Sequence, residues 1–231
     1  MMYGQLSNRD SLSDLVLTIN AHSGKADHLG FGKGVSKANL AKSNVNRDCR
    51  IFQEFAYYII AEARKVCLEE DSTPFSFSNA VYAFDSTIID LCLSVFCWAT
   101  FRKAKGAIKV HTQYDVRTSI PVFVHITPGS VHDTQVMDEL VYEPGSFYIF
   151  DRGYMDFERL FVIQESKSFF VIRAKNNLKF KRQYSAPVDR STGVRCDQTG
   201  ELTVFYSAKG YSEKIRRIKL HDEEQNRTFV F

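Results

Sequence analysis

The 231-residue chain lacks any long apolar run. Its longest nearly apolar stretch, Ile88 to Ala99, is interrupted by Asp90 and Ser94 and falls well short of the roughly 20 residues that cross a bilayer, so no membrane span is expected. The opening residues, MMYGQLSNRD, have no apolar core of the kind a secretory signal needs. Five cysteines (Cys49, Cys67, Cys92, Cys97 and Cys196) cannot all pair with one another. Cys92 and Cys97 have no second Cys/His pair to complete a zinc site. The thiols are therefore read as reduced and the chain as cytoplasmic. Gly-Lys-Ser and Gly-Lys-Thr are absent, and Gly30, Gly32 and Gly34 lack the strand-to-helix context of a nucleotide loop, which leaves ATP use without support. A strong charge of one sign is also missing, since 30 Lys and Arg against 27 Asp and Glu leave a net charge of +3.

What is present is enough apolar material for a core. Hydrophobic residues make up 44% of the chain and aromatic residues 13%, which excludes wholesale disorder. The basic residues are unevenly placed. Arg102, Lys103, Lys105 and Lys109 form one stretch, and Arg173, Lys175, Lys179, Lys181 and Arg182 a second with no acidic residue between. Lys209, Lys214, Arg216, Arg217 and Lys219 form a third, broken only by Glu213. Any one run reads as a solvated face, but three beyond residue 100 point to a polyanionic partner.

Helical spacing dominates the first third. Leu12, Leu15, Val16 and Ile19 predict a helix over 7–21 started by Ser11 and Asp14, and a Gly- and Lys-rich turn, SGKADHLGFGKG, follows. Ser36 is placed to cap a short helix through Asn44. A third helix, about Arg47 to Glu69, is expected to bury Ile51, Phe52, Phe55, Ala56, Ile59, Ala63 and Val66 along one stripe. Residues 1–72 thus read as a small helical domain that could dock on DNA as a helix-turn-helix does, or serve as a packing module. The linker DSTPFSFSN, in which Phe75 and Phe77 read as anchors, leads to residues 78–231, where strands and helices alternate. Strands are expected at Val81 to Phe84, Gly106 to Val116, Ile120 to Thr127, Phe147 to Phe150 and Phe169 to Arg173. The second and third read as a hairpin turning at Arg117 to Ser119. Helices are expected over His132 to Tyr142 and Asp156 to Ser166, and strand and turn only from Leu178 onward.

Two aspartates stand out. In VYAFDST and SFYIFDRGY an apolar, aromatic strand runs straight into Asp85 and Asp151. Open α/β sheets form their sites at the carboxyl ends of strands, so both carboxylates are expected on one edge of the sheet. Each alone would read as a turn cap. Two after matching strands suit a hard divalent ion such as Mg²⁺, which can activate a hydroxyl and stabilise the leaving oxygen of a phosphodiester displacement while basic stretches hold the DNA backbone. His132-Asp133 reads as a helix cap, and His111 and His125 as structural strand histidines.

The segments VYAFDSTIIDLCLSVFCWA, KGAIKVHTQYDV, IPVFVHITPGSVHD, FYIFDRGYMDFERL and FFVIRAKNN resemble the DDE transposases of bacterial insertion sequences, in the family-four-like group with a β-rich insertion. The resemblance implies an α/β fold: a ribonuclease H-like catalytic domain with a β-strand insertion over about residues 178–231, preceded by a small helical domain. In such a domain three antiparallel strands are followed by helices alternating with two further strands. The resemblance also implies Asp85 and Asp151 as the first two catalytic carboxylates and Mg²⁺ ligands, with Mn²⁺ able to substitute, and Arg152 and Tyr154 near the scissile phosphate. Arg102, Lys103, Lys105, Lys109, Arg173 and Lys175 are the further candidates for DNA contact. The implied partners are element terminal repeats, target DNA and a second subunit on paired DNA ends. The family's third carboxylate is a Glu on a helix after the insertion. RTFVF reads as the last strand of that insertion, and Glu223 and Glu224 fall in a charged turn, so the sequence reads as truncated before the third carboxylate. Three functions follow as expectations: a transposase, an inactive remnant acting as a DNA-binding or regulatory module, or a stand-alone ribonuclease H-like nuclease.

Overall fold

A computed structural model describes residues 7–28, 30–32, 34–48, 50–67, 78–91, 99–102 and 105–231, with only the backbone for residues 100–102 and 105. Lys103, Cys92, Cys97, Phe75, Phe77 and most of the expected linker lie outside the described residues. The chain divides into two compact units, Met1–Ile59 and Ile60–Phe231.

In the first unit, α1 (Leu12–Ala21) begins where Ser11 Oγ accepts from the Asp14 backbone N–H at 3.1 Å, and α3 (Lys37–Asn46) where Ser36 Oγ accepts from Asn39 N–H at 3.1 Å. Both caps satisfy amides that a helix start leaves without partners. Between them α2 (Ser23–His28) occupies part of the stretch expected to be a turn. Leu15, Ile19 and Ala26 form a small core, with Leu12, Val35 and Leu40 against it. Asn20 closes the unit by exchanging two hydrogen bonds with the Val35 backbone, at 3.1 and 3.0 Å. α4 (Arg50–Cys67) corrects the sequence expectation. The helix forms, but Ile51, Phe52, Phe55, Ile59 and Val66 are exposed and no residue of α4 is buried. Periodicity specifies an amphipathic face, not what covers it.

The second unit is built on a mixed sheet. β1 (Val81–Leu91), β3 (Lys105–Asp115) and β4 (Ile120–Pro128) run antiparallel, with β2 (Thr100–Arg102) pairing the start of β3. The expected hairpin is present: Asp115 Oδ1 accepts from Arg117 N–H at 3.0 Å, and Ser119 turns the chain with φ of 58°. β5 (Phe147–Phe150) and β6 (Phe169–Ile172) then join in parallel, giving the order β4-β3-β1-β5-β6. Three antiparallel strands followed by two more is the succession that the resemblance implies. β1 is longer than the sequence suggested, because its pairing with β3 continues to Leu91 opposite Gly106. The segment expected as a helix after Gly129 is a 3-10 helix, Asp133–Glu139.

α5 (Phe157–Glu165), capped by Asp156, covers one sheet face with Leu160 and Ile163, both fully buried. Tyr82, Phe84, Tyr148, Phe150, Tyr154 and Met137 complete that core. The remaining strands, β7 (Phe180–Ala186), β8 (Val194–Leu202), β9 (Ile215–Asp222) and β10 (Arg227–Val230), form a separate antiparallel sheet in the order β10-β9-β8-β7. The strand-and-turn expectation fails at two places here, where Arg190–Thr192 is a 3-10 helix and Phe205–Gly210 a short α-helix, α6. Its turn packs so closely on α5 that a Cβ at Gly210 would meet Glu158 Cγ at 2.9 Å. Leu202 and Tyr211 enter the main core, and Ala174 N–H bonds Val230 O at 2.8 Å, so the second sheet docks at the end of β6.

Leu160→Ala is expected to cost about 2–5 kcal/mol in urea unfolding, against less than about 1 kcal/mol for the half-exposed Val162→Ala. Burial raises the pKa values of Tyr82, Tyr142, Tyr148 and Tyr154, and pushes Tyr211 up to about 12. A raised folded pKa gives stability that is intact below the unfolded value of about 10 and is lost as pH rises through the folded value. Absorbance at 295 nm should therefore show these buried phenols ionising together with unfolding above about pH 10.

Candidate active site at the β1–β5 strand ends

Parallel pairing fixes the site. Val81 faces Phe147 and the register runs to Phe84 opposite Phe150, so Asp85 and Asp151 are each one step beyond the last pair. Adjacent strands lie about 4.8 Å apart, and parallel neighbours present their side chains to the same face. The two aspartates therefore share a strand edge and a face, and both are exposed. Alternation along β1 turns Phe84 and Ser86 to the core face and Asp85 to the other. Asp85 Oδ1 accepts from the Ser86 backbone N–H at 2.8 Å. Asp151 is the first residue past β5 and starts a 3-10 turn, Arg152–Tyr154, without its carboxylate capping it.

Tyr154 returns beneath the aspartates. Its ring packs edge-on to Phe84 at 5.3 Å and lies 5.9 Å from Phe150, and the residue is 2% exposed. Burial raises its phenol pKa, with Asp133, Asp85 and Asp151 acting in the same direction. The neighbouring Ser86 hydroxyl opposes that shift but is not aligned for a full hydrogen bond. One buried hydroxyl thus feels three carboxylates.

Asp133 carries a role that its sequence position concealed. His132 caps the 3-10 helix as expected, accepting from Thr134 N–H, but Asp133 turns away to accept from Ser86 Oγ at 3.0 Å and from Lys109 Nζ at 3.0 Å. Lys109, 8% exposed, also donates to Val131 O at 2.7 Å. His111, fully buried beside Phe84, bonds Thr127 Oγ1 at 2.9 Å, and desolvation lowers its pKa, which disfavours the charged ring. Only the spacing of β3 hinted at this polar floor: Lys109, His111, Gln113 and Asp115 alternate onto its buried face.

The other sequence candidates scatter. Arg152 and Lys175 are exposed. Arg173 lays its guanidinium over the Phe229 ring, 4.9 Å from the centroid. Arg102 and Lys105 are backbone partners where β2 pairs with β3. In the third basic stretch, Arg216 forms a two-pronged pair with Asp197 at 2.8 and 2.6 Å, and Arg217 stacks on Phe180 at 4.5 Å. The exposed cations of the second stretch, Lys179, Lys181 and Arg182, lie on or just before β7, an edge strand of its sheet.

Asp85 and Asp151 offer hard anionic oxygens that suit Mg²⁺, which is usually bound by one or two carboxylates with water and phosphate completing its shell. Among the described residues, no group of three or more His, Cys, Asp or Glu is arranged to hold a metal.

The chain matches the family model of the transposase DDE domain over residues 76–229. It is 28% identical over 175 residues to the protein y4zB of Sinorhizobium fredii, named as a transposase, covering 75% of this chain and 47% of that one. A protein named as the transposase for insertion sequence element IS5377 of Geobacillus stearothermophilus is 28% identical over 138 residues, covering 59% of this chain and 36% of its own. The chain thus spans less than half the length of either relative. A piggyBac transposase in a synaptic complex with hairpin DNA aligns at 13% identity and a TM-score of 0.37, over 67% of this chain and 33% of that one. Because the family model covers more than half of its 231 residues, the chain belongs to the transposase DDE domain family.

Proposed function

We propose that this chain is the part of an insertion-sequence transposase, with a ribonuclease H-like catalytic domain, that carries the first two catalytic carboxylates, Asp85 and Asp151. The register that sets them side by side beyond Phe84 and Phe150 carries this reading. When bound, a divalent ion supplies charge neutralisation and Lewis-acid polarisation at the scissile phosphate. Asp85 and Asp151 would hold it, with the aromatic floor of Phe84, Phe150 and Tyr154 packed beneath both strand ends. The chemistry proposed is hydrolysis of one DNA strand at an element end, freeing a 3′-OH that attacks target DNA, with two subunits on the paired ends.

Phosphate contacts come from cations that protrude into solvent. Arg152 beside the carboxylates, and Lys175, Lys179, Lys181 and Arg182 toward the β7 edge, are exposed and suited to this. Lys109 is not, since its ammonium is consumed by Asp133 and Val131. Helices α1–α3 form a second candidate surface for DNA.

In a second reading this chain alone, which spans less than half the length of either relative, binds DNA or an intact transposase without cutting. Mg²⁺-dependent cleavage of element-end DNA separates the two. A chain extended to the length of its relatives is expected to cut, and Asp85→Asn or Asp151→Asn to reduce cutting to background; cutting that survives Asp151→Asn contradicts the proposal. For the 231-residue chain, DNA affinity should fall with salt, and Arg152→Ala and Lys175→Ala should each reduce the slope of log K against log salt by about 1. Lys109→Met should leave that slope unchanged.

A further inference from the structure

We infer that Asp133, held by Lys109, is a positioning residue for the Asp85 carboxylate and acts on it through Ser86; this rests on Asp85 being a metal-holding carboxylate.

The connection is continuous. Lys109 Nζ is fixed at the Val131 carbonyl, 2.7 Å away, and at Asp133 Oδ1, 3.0 Å away. The same Asp133 oxygen accepts from Ser86 Oγ at 3.0 Å. The Ser86 backbone N–H then donates to Asp85 Oδ1 at 2.8 Å. Ser86 thus has its side chain tied on the core face of β1 while its amide holds a carboxylate on the other. Fixing the side chain fixes the peptide that carries the amide, and so the aim of the carboxylate.

This arrangement is costly without a purpose at the site. Lys109 is nearly buried and Asp133 half-buried, and an ion pair of that kind is seldom more stabilising than apolar residues filling the same space. The three elements it joins are distant in sequence: β1, the middle of β3 and the start of the 3-10 helix after β4. Lys109 also offsets the Asp133 charge, so the local excess of negative charge stays with Asp85 and Asp151. Residues that orient metal-holding groups in this way typically alter metal affinity about 10–100-fold when changed.

The test uses the whole 231-residue chain. Mn²⁺ binding is measured by calorimetry for wild type, Asp133→Asn, Ser86→Ala and the double variant, and the Ser86 backbone amide of wild type and Asp133→Asn is followed by ¹⁵N–¹H NMR without metal. Asp133→Asn and Ser86→Ala are each expected to weaken Mn²⁺ binding about tenfold, and the double variant no further than either single change. Asp133→Asn is also expected to move the Ser86 amide resonance in the metal-free chain. Losses that multiply in the double variant mean that Asp133 acts without Ser86, as a ligand or as a field charge, and overturn the inference. An unmoved Ser86 amide overturns it as well. If Asp133→Asn does not fold because Lys109 is left unpaired, the neutral Lys109→Met/Asp133→Asn pair replaces it. Mn²⁺ binding indifferent to Asp85→Asn and Asp151→Asn would defeat the two-carboxylate reading instead, and the amide shift would still decide whether Asp133 positions Asp85.

Discussion

The parallel pairing of β1 with β5 is the constraint on which the rest of the second unit depends. A parallel register cannot be set by a tight turn, since the chain between the strands must cross the sheet and return. Here the return passes through β3, β4 and the 3-10 helix, and its register is held by what lies beneath it. Phe84 meets Phe150 at 6.0 Å and Tyr154 at 5.3 Å, while Tyr82 meets Tyr148 at 5.4 Å. A slip of one residue would turn these rings to the exposed face and the aspartates into the core. The same burial that stabilises the sheet therefore aligns Asp85 with Asp151.

Near the strand ends the core is locally polar. On β3, the positions that alternate inward are Lys109, His111, Gln113 and Asp115, where an ordinary sheet would place apolar residues. Buried polar groups are tolerable only when bonded. Lys109 has Asp133 and a carbonyl, His111 has Thr127, and Asp115 accepts from the amides of the following turn. The sheet is thus apolar toward β5 and β6, where helix α5 covers it, and polar where β1, β3 and the 3-10 helix meet. Two kinds of interior share one face.

Much of this was legible in the sequence. The strand-then-aspartate pattern of VYAFDST and SFYIFDRGY singled out both carboxylates, because a charge placed where an apolar strand meets the sheet rim is tolerated only with a cation or hydrogen-bond donors beside it. The hairpin at Arg117 to Ser119 and the Ser11 and Ser36 caps were readable because turn and cap chemistry is local. The exposure of α4, the helix at Phe205–Gly210 and the longer β1 were not. Each depends on partners distant in the chain: α4 had a correct amphipathic pattern but no buried residue, and β1 continues past Asp85 because β3 offers it a ladder to Gly106. Within the cation runs, the partners of Lys109, Arg216 and Arg217, namely Asp133, Asp197 and Phe180, were hidden for the same reason.

By itself, then, the sequence determined the local elements, their caps and turns, the two strand-end carboxylates and the family resemblance, all of which are written in short-range pattern and residue type. Only the tertiary structure decided that Asp85 and Asp151 are neighbours, that Asp133 faces Ser86 and Lys109 rather than capping its own helix, and which cations remain exposed. Those facts rest on contacts between residues far apart in the chain, such as Ser86 with Asp133, separated by 47 positions, and Phe84 with Phe150. Such contacts are selected by the burial of a shared core, which no local window of sequence contains.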